Sequence, residues 1–379
     1  MGKILLHKNT LAVIITVIML FMSSLFTSSE SGLRYIKYFL PFILGLYLVF
    51  FYSNLSIDNV LKNNVLLYTF LLLLNFIVSL FLGNIQFRFF KESLLILLPL
   101  ISAVLITGIM KKDLNKFINI LFWTYLISFI SFHIFDFLNV VKLISSLLKA
   151  LTSSELATES WLAFPLGLFS LYFLLENKKR MFLLALIFFV FAFKRISIIA
   201  FLIATFIFFL INYKLFIIYN KKKIVTLLII INIIFITTIY LFIDGAFTRF
   251  IYRETGLTIN HFTQGRFVVY KEALIQFREG LWYGNGLGST NQFLSIRFKD
   301  IAFLHSDILK IIIEFGIILF IIWLVMFLII NLKGKKTLPL ILFLNVLFLS
   351  DNVFIYFDTL FIFYIMIAKF NSEENVSKN

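Results

Sequence analysis

The sequence predicts an all-α polytopic integral membrane protein with about twelve transmembrane helices and one large extracytoplasmic loop. Apolar residues make up 61% of the chain and charged residues only 14%, a balance that soluble domains do not show. The apolar runs approach the roughly 20 residues that cross a bilayer as a helix. The cations behind the net charge of +15 cluster between these runs. Proteins that bind nucleic acid collect their Lys and Arg residues on one face of a domain or along one helix. These cations do not, so nucleic acid is not an expected partner.

The apolar runs place the predicted spans and their orientation. They lie at 10–26, 35–53, 64–83, 92–110, 117–135, 161–176, 181–193, 196–213, 223–243, 308–331, 337–350 and 353–369. The Lys-rich connections are alternate ones, at 111–116, 177–180, 213–223 and 333–336. The positive-inside rule puts these connections and both termini in the cytoplasm. The first span lacks a clear A-x-A cleavage site, so we interpret it as a retained signal anchor.

This orientation divides the chain into four parts. Residues 1–243 form the N-terminal transmembrane helices, 244–307 the long extracytoplasmic loop, 308–370 the C-terminal transmembrane helices, and 371–379 a cytoplasmic tail. A shorter outward segment, 136–160, has apolar residues at helical spacing, which predicts an amphipathic helix lying at the membrane surface. The chain has no cysteine, which excludes disulfides and thiolate metal sites.

The stretch "LWYGNGLGSTNQF" carries Gly284, Gly286 and Gly288 at alternate positions in the long loop. A nucleotide-binding loop requires a preceding strand, a following Lys-Ser/Thr or helix, and a compartment that contains ATP. No lysine follows here, and the loop faces away from the cytoplasm. The glycines instead predict a tight turn with positive φ angles, which folds the loop between a helix that begins at Arg266 and a helix that begins after His305.

Two cationic positions, Lys194–Arg195 and Arg266, and one histidine, His305, are the candidate binding and catalytic residues. Lys194 and Arg195 interrupt an otherwise apolar stretch, and they lie at the outward tip of a helical hairpin. Arg266 begins an amphipathic helix, and His305 directly precedes the long span, where Ser306 or Asp307 can cap the helix. Guanidinium groups hold phosphate oxygens bidentately, so Arg195, Arg266 and His305 together predict a site for a lipid-linked anion. Glu314 and Gly316 are expected to pack inside the bundle.

These residues resemble a known family in their order and topology. "KRISIIAFLIA", "QGRFVVYKEAL", "GNGLGSTNQF", "LHSDILKIIIEFGI" and "LFLSDNVF", over residues 181–352, are similar to the O-antigen polymerase and O-antigen ligase superfamily of membrane glycosyltransferases. Lys194 and Ser306 depart from the family's usual residues, whereas Arg195 and His305 match it.

The resemblance implies a fold of the GT-C type and an active site on the extracytoplasmic face of the bacterial cytoplasmic membrane. It implies that Arg195 and Arg266 bind the donor's diphosphate and that His305 acts on the acceptor hydroxyl. Supporting roles would fall to the residues Lys194, Asp307, Asp351, Gly286 and Gly288. No metal, nucleotide sugar or other cofactor is implied. The expected partners are undecaprenyl-diphosphate-linked oligosaccharides as donor and acceptor, membrane lipids, a flippase and a chain-length regulator.

Three functions remain open at this point. A polymerase would join lipid-linked repeat units into O-antigen or capsular polysaccharide, and the Gly-x-Gly-x-Gly turn with "HSD" favours it. A ligase would transfer the glycan to lipid A-core. A polysaccharide flippase or other transporter also suits twelve spans, but it should have ionisable residues at mid-membrane. Charges within the spans are sparse in this sequence, and the polar residues concentrate in one outward loop, which favours an enzyme.

Overall fold

The computed structural model describes residues 2–27, 31–51, 57–83, 87–111, 113–135, 160–212, 220–263, 265–298 and 303–378. Within these ranges the structure is helical and contains no strand. The α-helices are α1 (Gly2–Leu25), α2 (Leu40–Phe51), α3 (Asn59–Phe81), α4 (Phe87–Ile109), α5 (Leu114–Phe132), α6 (Ala163–Leu175), α7 (Lys179–Phe191), α8 (Arg195–Asn212), α9 (Lys221–Ile243), α10 (Thr248–Thr255), α11 (Ile259–Phe262), α12 (Arg266–Gln276), α13 (Ser289–Arg297), α14 (Asp307–Asn331), α15 (Thr337–Ser350) and α16 (Phe357–Lys378). Short 3-10 helices occupy Gly32–Phe39, Arg278–Gly280 and Val353–Ile355.

Every predicted span coincides with a helix. In the part of the chain that the structure describes, seven helices are long and apolar enough to cross a membrane, and three shorter apolar helices accompany them. This confirms an all-α chain of membrane type. The count of about twelve spans stays a prediction, because several of the helices are shorter than a bilayer requires. The predicted amphipathic helix at 136–160 lies outside the described residues, except for Ser160.

The core of the bundle is built around α16. Its apolar side chains are buried on every side, Phe361 and Phe363 completely, against α4, α5 and α6. A helix that is apolar all round is stable only when neighbouring helices enclose it, as they do for α16. The outer helices α8 and α9 differ, since they expose large apolar side chains such as Phe206 and Ile234. Exposed apolar faces of this kind suit contact with lipid.

Ion pairs at the two ends of the bundle connect loops that the sequence assigned to the same side. The Lys336 ammonium lies 2.8 Å from Glu176 and 3.1 Å from Glu373, which joins two predicted cytoplasmic loops and the tail. At the other end, the Lys194 ammonium lies 2.8 Å from a carboxylate oxygen of Asp351. The contacts therefore agree with the predicted alternation of loops. Which end faces the cytoplasm stays a prediction.

The predicted continuous span at 308–331 is wrong in one respect, because α14 is broken at Gly316. This residue has φ 86° and ψ 160°, which is not helical. The glycine turn of residues 281–288 fills the break: the backbone N–H groups of Asn285 and Gly286 donate to the carbonyl oxygens of Ile313 and Glu314, at 3.1 and 3.0 Å. A break of this kind persists only when other groups satisfy the freed backbone.

The glycine turn has the predicted backbone conformation but a different position. Gly284, Gly286 and Gly288 all have positive φ, at 95°, 88° and 88°. A Cβ atom on Gly284 would lie only 2.5 Å from the Glu314 carbonyl oxygen, so no larger residue fits there. The turn packs into the middle of α14 rather than merely linking the Arg266 helix to the His305 helix. The expectation that Glu314 and Gly316 pack inside the bundle is confirmed, since Glu314 is completely buried.

Candidate functional site

A cavity of about 540 Å³ lies at the Lys194 end of the bundle. Arg195 and Arg266 both line it, together with Lys194 and Asp351. Its remaining wall is mostly apolar and comes largely from α8 and α9, with Ile196, Ile199, Phe235, Ile239 and Phe242 among the lining residues. The cavity therefore combines two guanidinium groups with an apolar surface.

Two helix starts position the arginines. Arg195 is the first residue of α8, directly after the turn that follows α7. Arg266 is the first residue of α12, and the preceding Gly265 has the left-handed φ of 83° that lets the chain enter this helix. The Arg266 guanidinium donates to the Ser350 carbonyl oxygen at 3.3 Å, which ties α12 to the end of α15. Its bonded partner is thus a neutral group, and its positive charge stays available to the cavity.

Lys194 is held between a carboxylate and two aromatic rings. Its ammonium lies 2.8 Å from Asp351 Oδ2, and 4.6 and 5.3 Å from the ring centroids of Phe164 and Tyr356. Asp351 directly follows α15, as the sequence predicts, and Lys194 precedes α8. Helices α8 and α15 pack closely along their length, and the ion pair joins the start of α8 to the end of α15. Lys194 and Asp351 therefore shape the cavity wall that Arg195 shares.

His305 lies beside this cavity without being one of its lining residues. It is exposed, and its φ of 53° is unusual for a residue other than glycine. The Tyr270 hydroxyl, which belongs to the cavity wall, donates to the His305 carbonyl oxygen at 2.9 Å. Partial desolvation, followed by the charge of Arg266, lowers the pKa of His305 below its usual value, while Asp351 acts in the opposite direction. The imidazole is accordingly neutral near pH 7.

The structure does not bring the other predicted supporting residues to the cavity. Asp307 is buried in the bundle, where its carboxylate accepts from the Phe354 N–H at 3.0 Å. Ser306, rather than Asp307, caps α14 by accepting from the Leu309 N–H. Gly286 lies at the break in α14, and Gly288 packs against Arg88. These three predicted residues stabilise the surroundings and do not line the site.

The sequence does not predict two of the residues that contribute to the site. Tyr270 lies on the amphipathic helix α12, and nothing in the sequence indicates that its hydroxyl contacts His305. Ser350 acts through its backbone carbonyl, for which a side chain gives no signal. The apolar wall from α9 was also missed, because lipid-facing and cavity-facing isoleucines look alike in sequence.

A second group of charged side chains is buried within the bundle, on helices α4 and α14. The Lys310 ammonium lies 2.8 Å from Glu92 and 4.0 Å from Glu314. The amide of Asn291 donates to Glu92 at 2.7 Å, and the backbone N–H and hydroxyl of Thr290 donate to Glu314. All three charged side chains are at most 8% exposed. We call Glu92, Lys310 and Glu314 the buried triad.

The fold and the cavity define the chain as a helical membrane-type protein with a cation-lined, partly apolar site. Comparison with known proteins adds no further identity, because no family model, no curated protein and no solved structure matches the chain. Among the described residues, no group of three or more His, Asp or Glu side chains is arranged to hold a metal ion.

Proposed function

We propose that the protein is a membrane glycosyltransferase that joins lipid-linked oligosaccharide repeat units into a surface polysaccharide. One observation carries the proposal: Arg195 and Arg266, from separate helices, line one cavity whose other wall is apolar. Such a site suits an amphiphile with an anionic headgroup and a long hydrocarbon chain. An undecaprenyl diphosphate has both parts, and its glycan is the group to be transferred.

The arginines would act on the leaving group. When an acceptor hydroxyl attacks the anomeric carbon, the glycosyl–oxygen bond breaks and negative charge develops on the lipid diphosphate. Guanidinium groups hold phosphate oxygens bidentately and stay charged at any relevant pH. Hydrogen-bond donors that are already positioned where charge develops lower the barrier. Each commonly raises the reaction rate by a factor of about 10²–10³. Arg266, whose hydrogen-bond partner in the described part of the chain is a neutral backbone carbonyl, is the better placed of the two.

His305 would take the proton from the acceptor hydroxyl. A general base must be unprotonated at the working pH, and the lowered pKa of His305 meets that requirement. Its exposure beside the cavity leaves room for an acceptor to approach from outside. A single displacement with one base, without a carboxylate nucleophile, would invert the anomeric configuration.

The polymerase proposal also implies a membrane, an orientation and partner proteins. The cavity would open to the extracytoplasmic side of the bacterial cytoplasmic membrane, with both termini in the cytoplasm. A flippase would supply the lipid-linked repeat units and a chain-length regulator would act on the product. This proposal includes a GT-C-type fold. It also includes polymerase rather than O-antigen ligase activity, with O-antigen or capsule as the product.

A transporter is the second candidate, and the broken helix favours it. Transporters often place a discontinuous helix and buried ionisable groups at the substrate site, as α14 with the buried triad would. In transporters, however, the freed backbone groups face the substrate. Here the freed carbonyls of Ile313 and Glu314 accept hydrogen bonds from the glycine turn and from Asn75. The protein itself occupies the break, so the enzyme is the better supported function.

Purified full-length protein in lipid nanodiscs tests the proposal. Given a defined undecaprenyl-diphosphate-linked repeat unit, it is expected to form a ladder of longer lipid-linked glycans without a nucleotide sugar or added metal. Transfer only to added lipid A-core would replace the polymerase by a ligase. Movement of the substrate between leaflets without any bond formation would replace the enzyme by a transporter.

In cells, His305→Ala is expected to reduce the surface glycan to a single repeat unit while the protein level stays normal. A normal ladder of glycan lengths in that strain would remove His305 from the mechanism.

A further inference from the structure

A second polar cavity, of about 350 Å³, lies between the end of α12 and the start of α13. Its lining includes Gln276 and Phe277 from the α12 end, Asn285 from the glycine turn, and Ser289, Gln292 and Phe293 from α13. None of the residues that line it is charged. We call this the amide cavity.

Several polar groups in the amide cavity are not used by the fold. Within the described ranges, the exposed Gln276 side chain and the half-buried Gln292 side chain make no hydrogen bond, and the buried Ser289 hydroxyl has no partner either. The Asn285 amide donates one N–H to the Ile313 carbonyl oxygen at 2.9 Å, which fixes the orientation of that side chain. Buried or half-buried polar groups are normally paired, so the unpaired Gln292 amide and Ser289 hydroxyl in the cavity lining indicate a polar ligand.

The chemistry of the lining selects the kind of ligand. A carboxamide offers both donors and acceptors, and so does a hydroxyl group. The absence of charge in the lining disfavours a phosphate or a carboxylate. Phe277 and Phe293 pack edge to face, with ring centroids 5.6 Å apart, and give the cavity an apolar side. Alternating hydroxyl groups and apolar C–H faces are the surface that a neutral sugar presents.

The position of the amide cavity relates it to the cationic cavity. Arg266 is the first residue of α12 and Gln276 is the last, so the helix places them about 15 Å apart along its axis. A helix of this length separates the two sites by more than a single sugar ring. An oligosaccharide with its diphosphate at Arg266 would therefore extend along α12 toward Gln276.

We propose that the amide cavity binds the neutral part of a glycan, at a distance from the reacting diphosphate. The proposal rests on the proposed function for the identity of the glycan, which would belong to the donor or to the growing chain. It divides recognition into two parts: cations hold the charged end of the substrate, and uncharged amides hold the sugars.

The test uses the full chain in nanodiscs and a probe without lipid or diphosphate. The probe is the oligosaccharide repeat released by mild hydrolysis from the surface polysaccharide of the source bacterium, and binding is followed by saturation-transfer NMR. The double variant Gln276→Ala/Gln292→Ala is expected to bind about tenfold more weakly or worse, the loss expected for two neutral hydrogen bonds. Asn260→Ala, which removes an exposed amide of α11 outside the cavity, should bind like the unaltered protein.

Two results would overturn the proposal. One is an unaltered protein that does not bind the probe. The other is a double variant that binds it as well as the unaltered protein does. Equal thermal unfolding midpoints of the double variant and Asn260→Ala show that any loss of binding is local rather than caused by unfolding.

Arg266→Ala separates this proposal from the proposed function. If both proposals hold, Arg266→Ala lowers the rate of polymerisation by about 10²–10³ and still binds the lipid-free probe. No polymerisation by the unaltered protein, together with lost probe binding by the double variant, contradicts the proposed function and leaves the amide cavity supported. Lost polymerisation by Arg266→Ala, together with unchanged probe binding by the double variant, contradicts the amide cavity alone.

Discussion

The cationic cavity and the buried triad use the same kinds of side chains in opposite ways. In the cavity, Arg266 donates to a backbone carbonyl, and an accessible space lies beside it. In the triad, Lys310 is enclosed between two carboxylates and is almost completely buried. A buried charge without a partner is very unfavourable, whereas a charge beside a cavity can be hydrated or can bind a ligand. The comparison indicates that the triad stabilises the fold, whereas the cavity leaves its charge available to a ligand.

Breaking the triad gives the largest expected effect. Lys310→Met leaves Glu92 and Glu314 facing each other in the interior, so the free energy of unfolding should fall by about 3–5 kcal/mol. Thermal unfolding in detergent measures it. Lys271→Met, which removes an exposed lysine of α12, is the control and should change little. Adding Glu92→Gln to Lys310→Met should recover part of the loss, and no recovery would mean that the pairing is not what stabilises α14.

Removing the Arg266 guanidinium from the cavity gives the next largest effect. Arg266→Ala should lower the rate of polymer formation by about 10²–10³ and leave the unfolding midpoint nearly unchanged. Arg278→Ala, which removes an exposed arginine of the same 244–307 segment that does not line the cavity, is the matched control. If both variants lose the same activity, general positive charge rather than the cavity is responsible.

The glycine turn allows a comparison between two left-handed glycines. Gly284 and Gly256 have φ of 95° and 69°, but only at Gly284 would an added Cβ meet backbone atoms. Both alanine variants should lose about 1–2 kcal/mol from the left-handed backbone. Gly284→Ala should lose about 1–3 kcal/mol more, through overpacking against α14. Equal losses in chemical unfolding would show that the turn does not pack tightly in the break.

The smallest expected effect is on the titration of His305. A neighbouring cation disfavours the imidazolium, so Arg266→Gln should raise the His305 pKa toward its reference value of about 6.5. In the unaltered protein, polymerisation should stay high near neutral pH and fall only as the pH drops below that reference value, when the base becomes protonated. NMR of histidine-labelled protein follows the imidazole directly. An unchanged pKa in Arg266→Gln would place the arginine too far away to act on His305.

The sequence alone determined the helices and most of the cationic positions. Long apolar runs have few ways to satisfy their backbone in a membrane, so the predicted spans agree with the observed helices. Lys194, Arg195 and Arg266 stood out because charges are rare in such a chain, and all three line one cavity. The sequence also predicted positive φ angles at Gly284, Gly286 and Gly288, because no other residue type adopts them as easily.

Only the tertiary structure decided which of these features meet. Glu92 and Lys310 lie 218 positions apart, and nothing local to either residue indicates their ion pair. Gly316 looks like a tolerated glycine in an apolar helix until the 281–288 turn supplies the hydrogen bonds that let the helix break there. The cavity likewise depends on how α8, α9, α12 and α15 assemble. Helices follow from local periodicity and the solvent, whereas sites form from contacts between residues distant in sequence, which periodicity does not encode.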